Sequence, residues 1–96
     1  MRGFSEVKEH NLNKLDMFVP VVERVHGGSH REFYDVRKIF DKISAKIKAG
    51  SEKPDLDSEF KRLREITDNY TVPNDVCESY EAVYNMLAEL DEAYHA

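Results

Sequence analysis

Hydrophobic residues recur along this chain at spacings of three and four, the period of one helix face, and no strand-like alternation persists. In residues 5–26 the apolar row is Leu12, Leu15, Val19 and Val22. Pro20 lies inside this segment and lacks an N–H for the carbonyl of Asp16, which predicts a kink or two shorter helices. Ser5 is the expected N-cap. Gly27 and Gly28 are expected to end the helix in the left-handed conformation.

A capping box formed by Ser29 and Glu32 predicts the start of a second helix. Its apolar row runs towards Ala49 and consists of Phe33, Val36, Phe40, Ile43 and Ile47. Gly50 ends this helix, and "GSEKPD", residues 50–55, is the clearest loop in the chain.

Two more amphipathic segments follow that loop. The third helix is predicted over residues 57–70 with Phe60, Leu63 and Ile66 facing inward. The fourth is predicted to begin near Pro73, a residue favoured in the first helical turn. Its row is Val76, Tyr80, Val83, Leu87, Leu90 and Tyr94. The pattern predicts an all-α, up-down-up-down four-helix bundle formed by residues 1–96 as one domain. The alternative is a three-helix unit completed by dimerisation.

Composition and charge limit the classes of molecule that this chain is expected to bind. The chain has 96 residues, is 41% hydrophobic and 34% charged, and carries a net charge of -5. This charge disfavours nucleic acid and anionic membranes as partners, because both are negative. A single cysteine allows no internal disulfide, and no apolar run has signal-peptide or membrane-spanning character. The cytoplasm is the predicted location.

Two histidines flank the glycine pair. His26 continues the inward row of the first helix by its next step of four, so it is expected to point into the bundle. There it either hydrogen-bonds a backbone carbonyl or serves as a ligand. His30 follows the expected cap of the second helix and is either solvated or converges with His26 across the turn.

Two Glu-x-x-His pairs also occur, Glu23 with His26 and Glu92 with His95. This spacing lets a carboxylate and an imidazole reach one metal ion from the same helix face. A glutamate-rich chain also produces such pairs by chance. His10 has no such partner and is expected to be solvated.

Cys77 falls at the start of the predicted fourth helix. An exposed thiol at a helix N-terminus is reactive, whereas a thiol packed beside the core residue Val76 is inert. The sequence contains no phosphate-binding loop, nucleophile elbow or zinc cluster, so a non-enzymatic role is favoured.

Two stretches together resemble the RIC family, the iron-sulfur cluster repair di-iron proteins. "VERVHGGSHREFYDVRKIF" resembles the family segment Val-x-x-Val-His-Gly-x-x-His-Pro-Glu. "LREITDNYTVPNDVCESYEAVYNMLAEL" resembles its C-terminal part, where a Thr-x-(D/N)-(Y/F)-Thr-x-Pro-x-x-x-Cys segment leads into Tyr-x-x-(L/I). The matching residues there are Leu63, Ile66, Thr67, Asp68, Asn69, Tyr70, Thr71, Pro73, Cys77, Tyr84 and Leu87. The two stretches cover about half of the chain.

The resemblance implies a hemerythrin-like bundle, non-haem iron, and a role in restoring iron-sulfur centres damaged by nitric oxide or oxidants. Iron-sulfur proteins would then be its clients. Of the four histidines only His26 and His30 match family histidines, and His26 is the better candidate ligand. With Glu23 they form the predicted metal site.

The chain also departs from the family pattern. "KIKAGSEKPDLD" replaces the His-x-x-(E)-Glu ligand segment, and Lys53 and Pro54 stand near the place of another ligand histidine. The closing His-x-x-x-Glu-Asn would fall beyond Ala96, and the N-terminal cysteine module is missing. A di-iron centre needs roughly five to seven protein ligands.

Three interpretations follow. In the first interpretation, the chain is a short RIC-like protein that builds a metal site differently, with Glu23, His26 and His30 or with ligands from two chains. Alternatively, it has lost iron and acts as a helical interaction partner, with a homodimer as one form. In the third interpretation, the resemblance is structural only.

Overall fold

Four α-helices account for most of the computed structural model, which describes residues 3–50 and 54–96. They are α1 (Phe4–His26), α2 (Glu32–Lys48), α3 (Asp57–Thr67) and α4 (Glu78–Tyr94). Helix α1 packs against α4 and α2, and α2 packs against α3. No strand occurs within the described ranges. The predicted all-α four-helix bundle is confirmed. Part of the predicted loop 50–55, including Lys53, lies outside the described residues.

The core consists of the predicted apolar rows. Helix α1 continues through Pro20 as a single helix, so the alternative of two shorter helices was wrong. Half-buried Leu12, Ile66 and Val76 pack at the margin of the core. Gly50 has a φ of 97° after α2, as expected for a glycine that ends a helix. The predicted inward residues that are buried are Leu15, Val19, Val22, Phe33, Val36, Phe40, Ile43, Ile47, Phe60, Leu63, Tyr80, Val83, Leu87, Leu90 and Tyr94.

Gly27 ends α1 in a different way from the one predicted. Its φ of -56° and ψ of -33° are right-handed, so the left-handed ending was wrong. A Cβ at Gly27 would lie 2.5 Å from the carbonyl oxygen of Glu23 and 2.7 Å from the ring of Tyr34. A Cβ at Gly28 would meet nothing within 4 Å. Gly27 is therefore required by close packing.

The predicted capping box at the start of α2 was also wrong. The backbone N–H groups of Ser29 and His30 both donate to the carbonyl of His26, at 3.0 and 2.8 Å. This turn leaves α2 to begin at Glu32, with no side-chain cap. The expected cap of the first helix differs as well, because α1 begins after Gly3 and Ser5 lies inside its first turn.

Helix α3 ends three residues before the predicted boundary. Asp68, Asn69 and Tyr70 have φ values of 51°, 58° and 61°, so the chain turns in the left-handed region. Asp and Asn adopt this conformation more readily than other residues, whereas Tyr does so rarely. The hydroxyl of Thr67 accepts the N–H of Tyr70 at 2.8 Å and donates to the carbonyl of Leu63 at 2.7 Å. These hydrogen bonds stabilise the turn.

Helix α4 begins later than predicted, at Glu78 rather than near Pro73. The turn at the end of α3 is followed by an irregular segment, residues 71–77, which runs to the N-terminus of α4. Cys77 is the N-cap, with extended backbone and no side-chain hydrogen bond to the first turn. Because α4 packs against α1, this segment carries Cys77 to the C-terminal end of α1.

Candidate functional site

A thiol and an imidazole meet where α1 ends and α4 begins. Nε2 of His26 lies 3.0 Å from Sγ of Cys77, although 51 positions separate the two residues in sequence. Cys77 is exposed, and His26 is half-buried. We call His26, His30, Glu32, Cys77 and Tyr80 the joint site. An imidazole at this distance from a thiol can take up the thiol proton.

Tyr80 lies between the two histidines and orients both rings. Its ring centroid is 5.5 Å from that of His26, at an interplanar angle of 86°. The centroid of His30 lies at the same 5.5 Å, at 63°. The ring of Phe33, 5.2 Å from Tyr80, packs against it from the core. Edge-to-face contacts of this kind are favourable, so the imidazole of His26 is held by packing.

The hydroxyl of Tyr80 joins the buried hydroxyl of Tyr84 to the partly exposed carboxylate of Glu32. It donates to Oε1 of Glu32 at 3.3 Å and lies 3.0 Å from the hydroxyl of Tyr84. Burial raises the pKa of Tyr80, and Tyr84 and Glu32 raise it further. Burial also raises the pKa of Tyr84. Both phenols stay protonated at neutral pH, so they serve as hydrogen-bond donors rather than bases.

His30 lies between two carboxylates rather than in solvent. Its Nδ1 is 3.2 Å from Oε1 of Glu32, and its side chain is only 14% exposed. Oδ1 of Asp75 lies 3.1 Å from Nε2. Nε2 is buried and makes no hydrogen bond, although this carboxylate oxygen is close to it. His30 precedes α2 and joins the site through Tyr80 and Glu32.

The predicted metal residues are divided between two environments. The ring centroids of His26 and His30 are 6.5 Å apart, while Oε1 of Glu23 accepts a 2.8 Å hydrogen bond from Arg37. In the part of the chain that the structure describes, no group of three or more His, Cys, Asp or Glu side chains is placed to hold a metal ion. These donors do not fit a di-iron centre. A ligand role for the three residues stays a prediction.

A cleft of about 270 Å³ opens beside Cys77. Its lining residues are Val72, Pro73, Asn74, Val76, Cys77, Glu78 and Glu81. The thiol can therefore be reached by a small molecule or by a protruding group of another protein. The negative charges of Glu78 and Glu81 disfavour anionic ligands in this cleft.

The remaining predicted site residues have other roles. His10 is exposed, as predicted, and so is Glu92. His95 does not bring Glu92 to a shared site: its Nδ1 lies 2.8 Å from Oδ1 of Asp91 and its Nε2 lies 3.3 Å from Oδ1 of Asp57. This pairing belongs to a second polar cluster at the other end of α4.

The pairing of Cys77 with His26 was not apparent from the sequence. The sequence left open whether Cys77 is an exposed thiol at a helix start or a thiol packed beside Val76, and the structure shows it exposed. Periodicity carries no information about which residue of α1 it would meet. Glu32 was missed as part of the site, because it was assigned to the capping box rather than to His30 and Tyr80.

Comparisons of this chain with protein-family models, with curated proteins and with solved structures found no match. The similarity to RIC proteins therefore stays a prediction that rests on the two quoted stretches. In the structure these stretches meet at the joint site: His26 and His30 belong to the first, Cys77 and Tyr80 to the second. Among the described helices, none combines the length and the apolar character that crossing a membrane requires.

Proposed function

We propose that this chain takes part in the repair of iron-sulfur centres under nitrosative or oxidative stress, with iron-sulfur proteins in the cytoplasm as its clients. The observation that supports this most is the 3.0 Å contact between His26 and Cys77. It joins the two stretches that resemble RIC proteins, and it does so at an exposed thiol.

The chemistry of the pair suits such a role. Thiolate and imidazole are common ligands of iron and of iron-sulfur clusters in proteins. Cys77 opens onto a cleft, so its sulfur can reach a client without rearrangement of the bundle. In this proposal iron or a damaged cluster is the substrate that the pair contacts, rather than a centre resident in the core.

A cluster-recovery assay tests the proposal. A [4Fe–4S] protein is treated with nitric oxide, supplied with ferrous iron, sulfide and a thiol reductant, and followed by its visible absorbance. We expect the wild-type chain to accelerate recovery, and Cys77→Ser and His26→Ala to lose that effect. His10→Ala is the matched control, because His10 is exposed on the same helix and should behave as wild type. No acceleration by wild type would contradict the proposal.

The prediction of resident iron has a separate test. Iron is measured in wild-type protein and in His26→Ala, both purified without oxygen. Iron that is present in the wild type and lost in the variant would support a site built on His26 with His30 and Glu23. Equal iron in the two proteins would contradict it.

The alternative function is that of a metal-free helical interaction protein, in the simplest case a homodimer. An apolar row outside the core favours it: Met17, Val21 and Val25 follow one another at steps of four along α1 and are 65%, 41% and 65% exposed. Tyr34, on α2, is 43% exposed. Sedimentation at several concentrations tests this, with Val25→Glu as the disrupting variant. A strict monomer would contradict both the dimer and a metal site shared between chains.

A further inference from the structure

We infer that the exposed side of α1 binds an acidic amphipathic helix of another protein. We call this surface the α1 face and define it by Lys14, Met17, Val21, Arg24 and Val25. The inference rests on the alternative function, that of a helical interaction protein, and it specifies the chemistry of the partner. It uses none of the residues of the joint site.

An apolar row runs along the α1 face. In the described ranges the exposed large apolar side chains number four, and three of them are Met17, Val21 and Val25. Residues at steps of four form one ridge of a helix, and such a ridge packs into a groove of a partner helix. At a rise of about 1.5 Å per residue the row is about 12 Å long, which matches about two turns of a helix that lies on it.

Two cations flank this row. Lys14 lies one turn before Met17, Arg24 lies one turn after Val21, and both are exposed. Neither side chain pairs with another described residue. Both charges are therefore available to carboxylates of a partner that covers the apolar row.

No carboxylate of the α1 face competes for these cations. From residue 10 to residue 29 every exposed residue is neutral or basic. Asp16 and Glu23, the two carboxylates of this stretch, are half-buried and pair with Lys48 and Arg37 of α2. The α1 face is thus locally positive in a chain of net charge -5. Charge complementarity favours an acidic partner.

A second copy of the chain fits this surface less well. In the described ranges the only other exposed large apolar side chain is Tyr34, so two copies would pair one α1 face with the other. The interface would then hold Lys14 and Arg24 of both copies, with no exposed carboxylate from residues 10–29 of either. Like charges placed together in an interface oppose association.

An anionic membrane also fits less well. Helix α4 packs beside α1 and contains no basic residue. Its exposed charged residues are Glu78, Glu81, Glu89 and Glu92. A broad, flat bilayer would meet this negative side together with the α1 face, and would be repelled by it. A single helix is about 10 Å wide, so it can lie on α1 alone.

The test uses a fluorescent synthetic peptide of three Leu-Ala-Glu-Leu-Leu-Glu-Ala repeats, whose leucines form one helical face. Anisotropy should show saturable binding to the wild-type chain. Met17→Glu removes an apolar contact and adds a negative charge, so it should weaken binding at least about tenfold. Ala45→Glu adds the same charge at an exposed position of α2 and should match wild type. Circular dichroism checks folding, and Val21→Glu replaces Met17→Glu where the latter does not fold.

A second pair of variants tests the cations. Lys14→Gln combined with Arg24→Gln should weaken peptide binding about fivefold and reduce its dependence on salt. Lys38→Gln combined with Lys42→Gln removes the same charge from exposed positions of α2, so it should change the Kd by less than about twofold. Equal weakening by the two double variants would overturn the α1 face as the binding site.

The chemistry of the occupant has its own controls. The same peptide with glutamine at every glutamate should bind about tenfold more weakly, and equal binding would overturn the acidic class. Vesicles of phosphatidylglycerol that bind wild type but not Met17→Glu would overturn the helix in favour of a membrane. Absence of saturable peptide binding by wild type would overturn the inference.

Sedimentation separates this inference from the alternative function. A dimer that Met17→Glu abolishes, without peptide binding, would overturn the inference and leave the homodimer standing. Peptide binding by a strict monomer would support the inference and contradict the homodimer. The cluster-recovery assay is independent of both, because Met17 lies outside the joint site, and Met17→Glu should recover clusters as wild type does.

Discussion

Helix α4 carries a histidine-containing polar cluster at each end, and the two clusters differ in how completely their polar atoms are paired. At the C-terminal end lies the Asp91 cluster, Asp57, Arg64, Tyr70, Asp91 and His95. Oδ1 of Asp91 accepts from Arg64 at 3.3 Å and lies 2.8 Å from Nδ1 of His95. Its Oδ2 accepts from the hydroxyl of Tyr70 at 2.7 Å. Both oxygens of a buried carboxylate are therefore engaged.

The joint site at the N-terminal end is less complete. Cys77 is exposed to the cleft, and Nε2 of His30 has no hydrogen bond. A saturated cluster stabilises a fold, because each buried polar atom has a partner. A cluster with an exposed nucleophile next to a base is available for chemistry. We therefore expect the Asp91 cluster to stabilise the fold and the joint site to be available for chemistry.

The largest effect is expected from Asp91→Ala, which should lower the free energy of unfolding by about 2–3 kcal/mol. The change leaves the hydroxyl of Tyr70 without its acceptor and Arg64 without its buried partner. Solvent can reach Arg64 and His95, which limits the cost. Urea unfolding measures the difference.

Asp57→Ala is the matched control within the same cluster, because Asp57 is exposed and should change stability by less than about 0.5 kcal/mol. Equal effects of the two variants would show that the Asp91 cluster does not stabilise the bundle through its buried carboxylate.

Alkaline pH should destabilise the protein through tyrosines at both ends of α4. Burial, followed by the hydrogen bond to Asp91, raises the pKa of Tyr70, and burial raises the pKa of Tyr80. Above about pH 10 the unfolded state loses tyrosine protons that the folded state retains. The stabilisation that the raised pKa values provide is therefore complete below about pH 10 and is lost as the pH rises above it. Each tyrosine should lower stability by about 1.4 kcal/mol per pH unit there.

Urea unfolding between pH 8 and pH 11 measures that slope. Tyr70→Phe and Tyr80→Phe should each reduce the fall in the free energy of unfolding above pH 10 by the amount that one tyrosine contributes. A slope that neither substitution changes would mean that these hydroxyls are not held in their protonated form by the fold.

Gly27→Ala should destabilise the bundle by about 1–2 kcal/mol, because its Cβ would collide with the carbonyl of Glu23 and the ring of Tyr34. The partly exposed ring of Tyr34 can move away, but the backbone carbonyl cannot. Gly28→Ala is the matched control and should be neutral or stabilising by about 0.5 kcal/mol. Thermal unfolding of the pair tests whether close packing fixes the turn that leads to the joint site.

The smallest effect is expected from Cys77→Ser. The extended backbone of Cys77 is that of an N-cap, and serine is preferred there, so stability should rise by about 0.5 kcal/mol. A loss above about 1 kcal/mol would place the thiol of Cys77 in a structural role, like the carboxylate of Asp91, and would remove the contrast between the two ends.

The helical rows were predictable from sequence because burial imposes a period of three to four on each helix. Phe33, Val36 and Phe40 illustrate this, since all three are buried as predicted. The helix ends were harder to predict. The left-handed turn of Asp68, Asn69 and Tyr70 depends on the hydroxyl of Thr67, a contact that no periodic pattern reveals.

The candidate site was only partly predictable. His26 was expected to point into the bundle, because it continues the inward row of α1, and it is half-buried at the end of that helix. Its partner Cys77 comes from α4, and only the packing of α1 against α4 brings the two residues together. Glu23 was expected beside His26, yet its carboxylate pairs with Arg37 of α2, an opposite charge that lies in a different helix.

The reactivity of Cys77 towards an uncharged disulfide, in wild type and in His26→Phe, tests the contrast between the two ends most directly. Each protein is measured folded at neutral pH and again unfolded in urea. Because the pair exists only in the fold, we expect a ratio of about ten in the folded proteins and a ratio of one in urea. A ratio of one in both states would contradict a reactive thiol at the joint site.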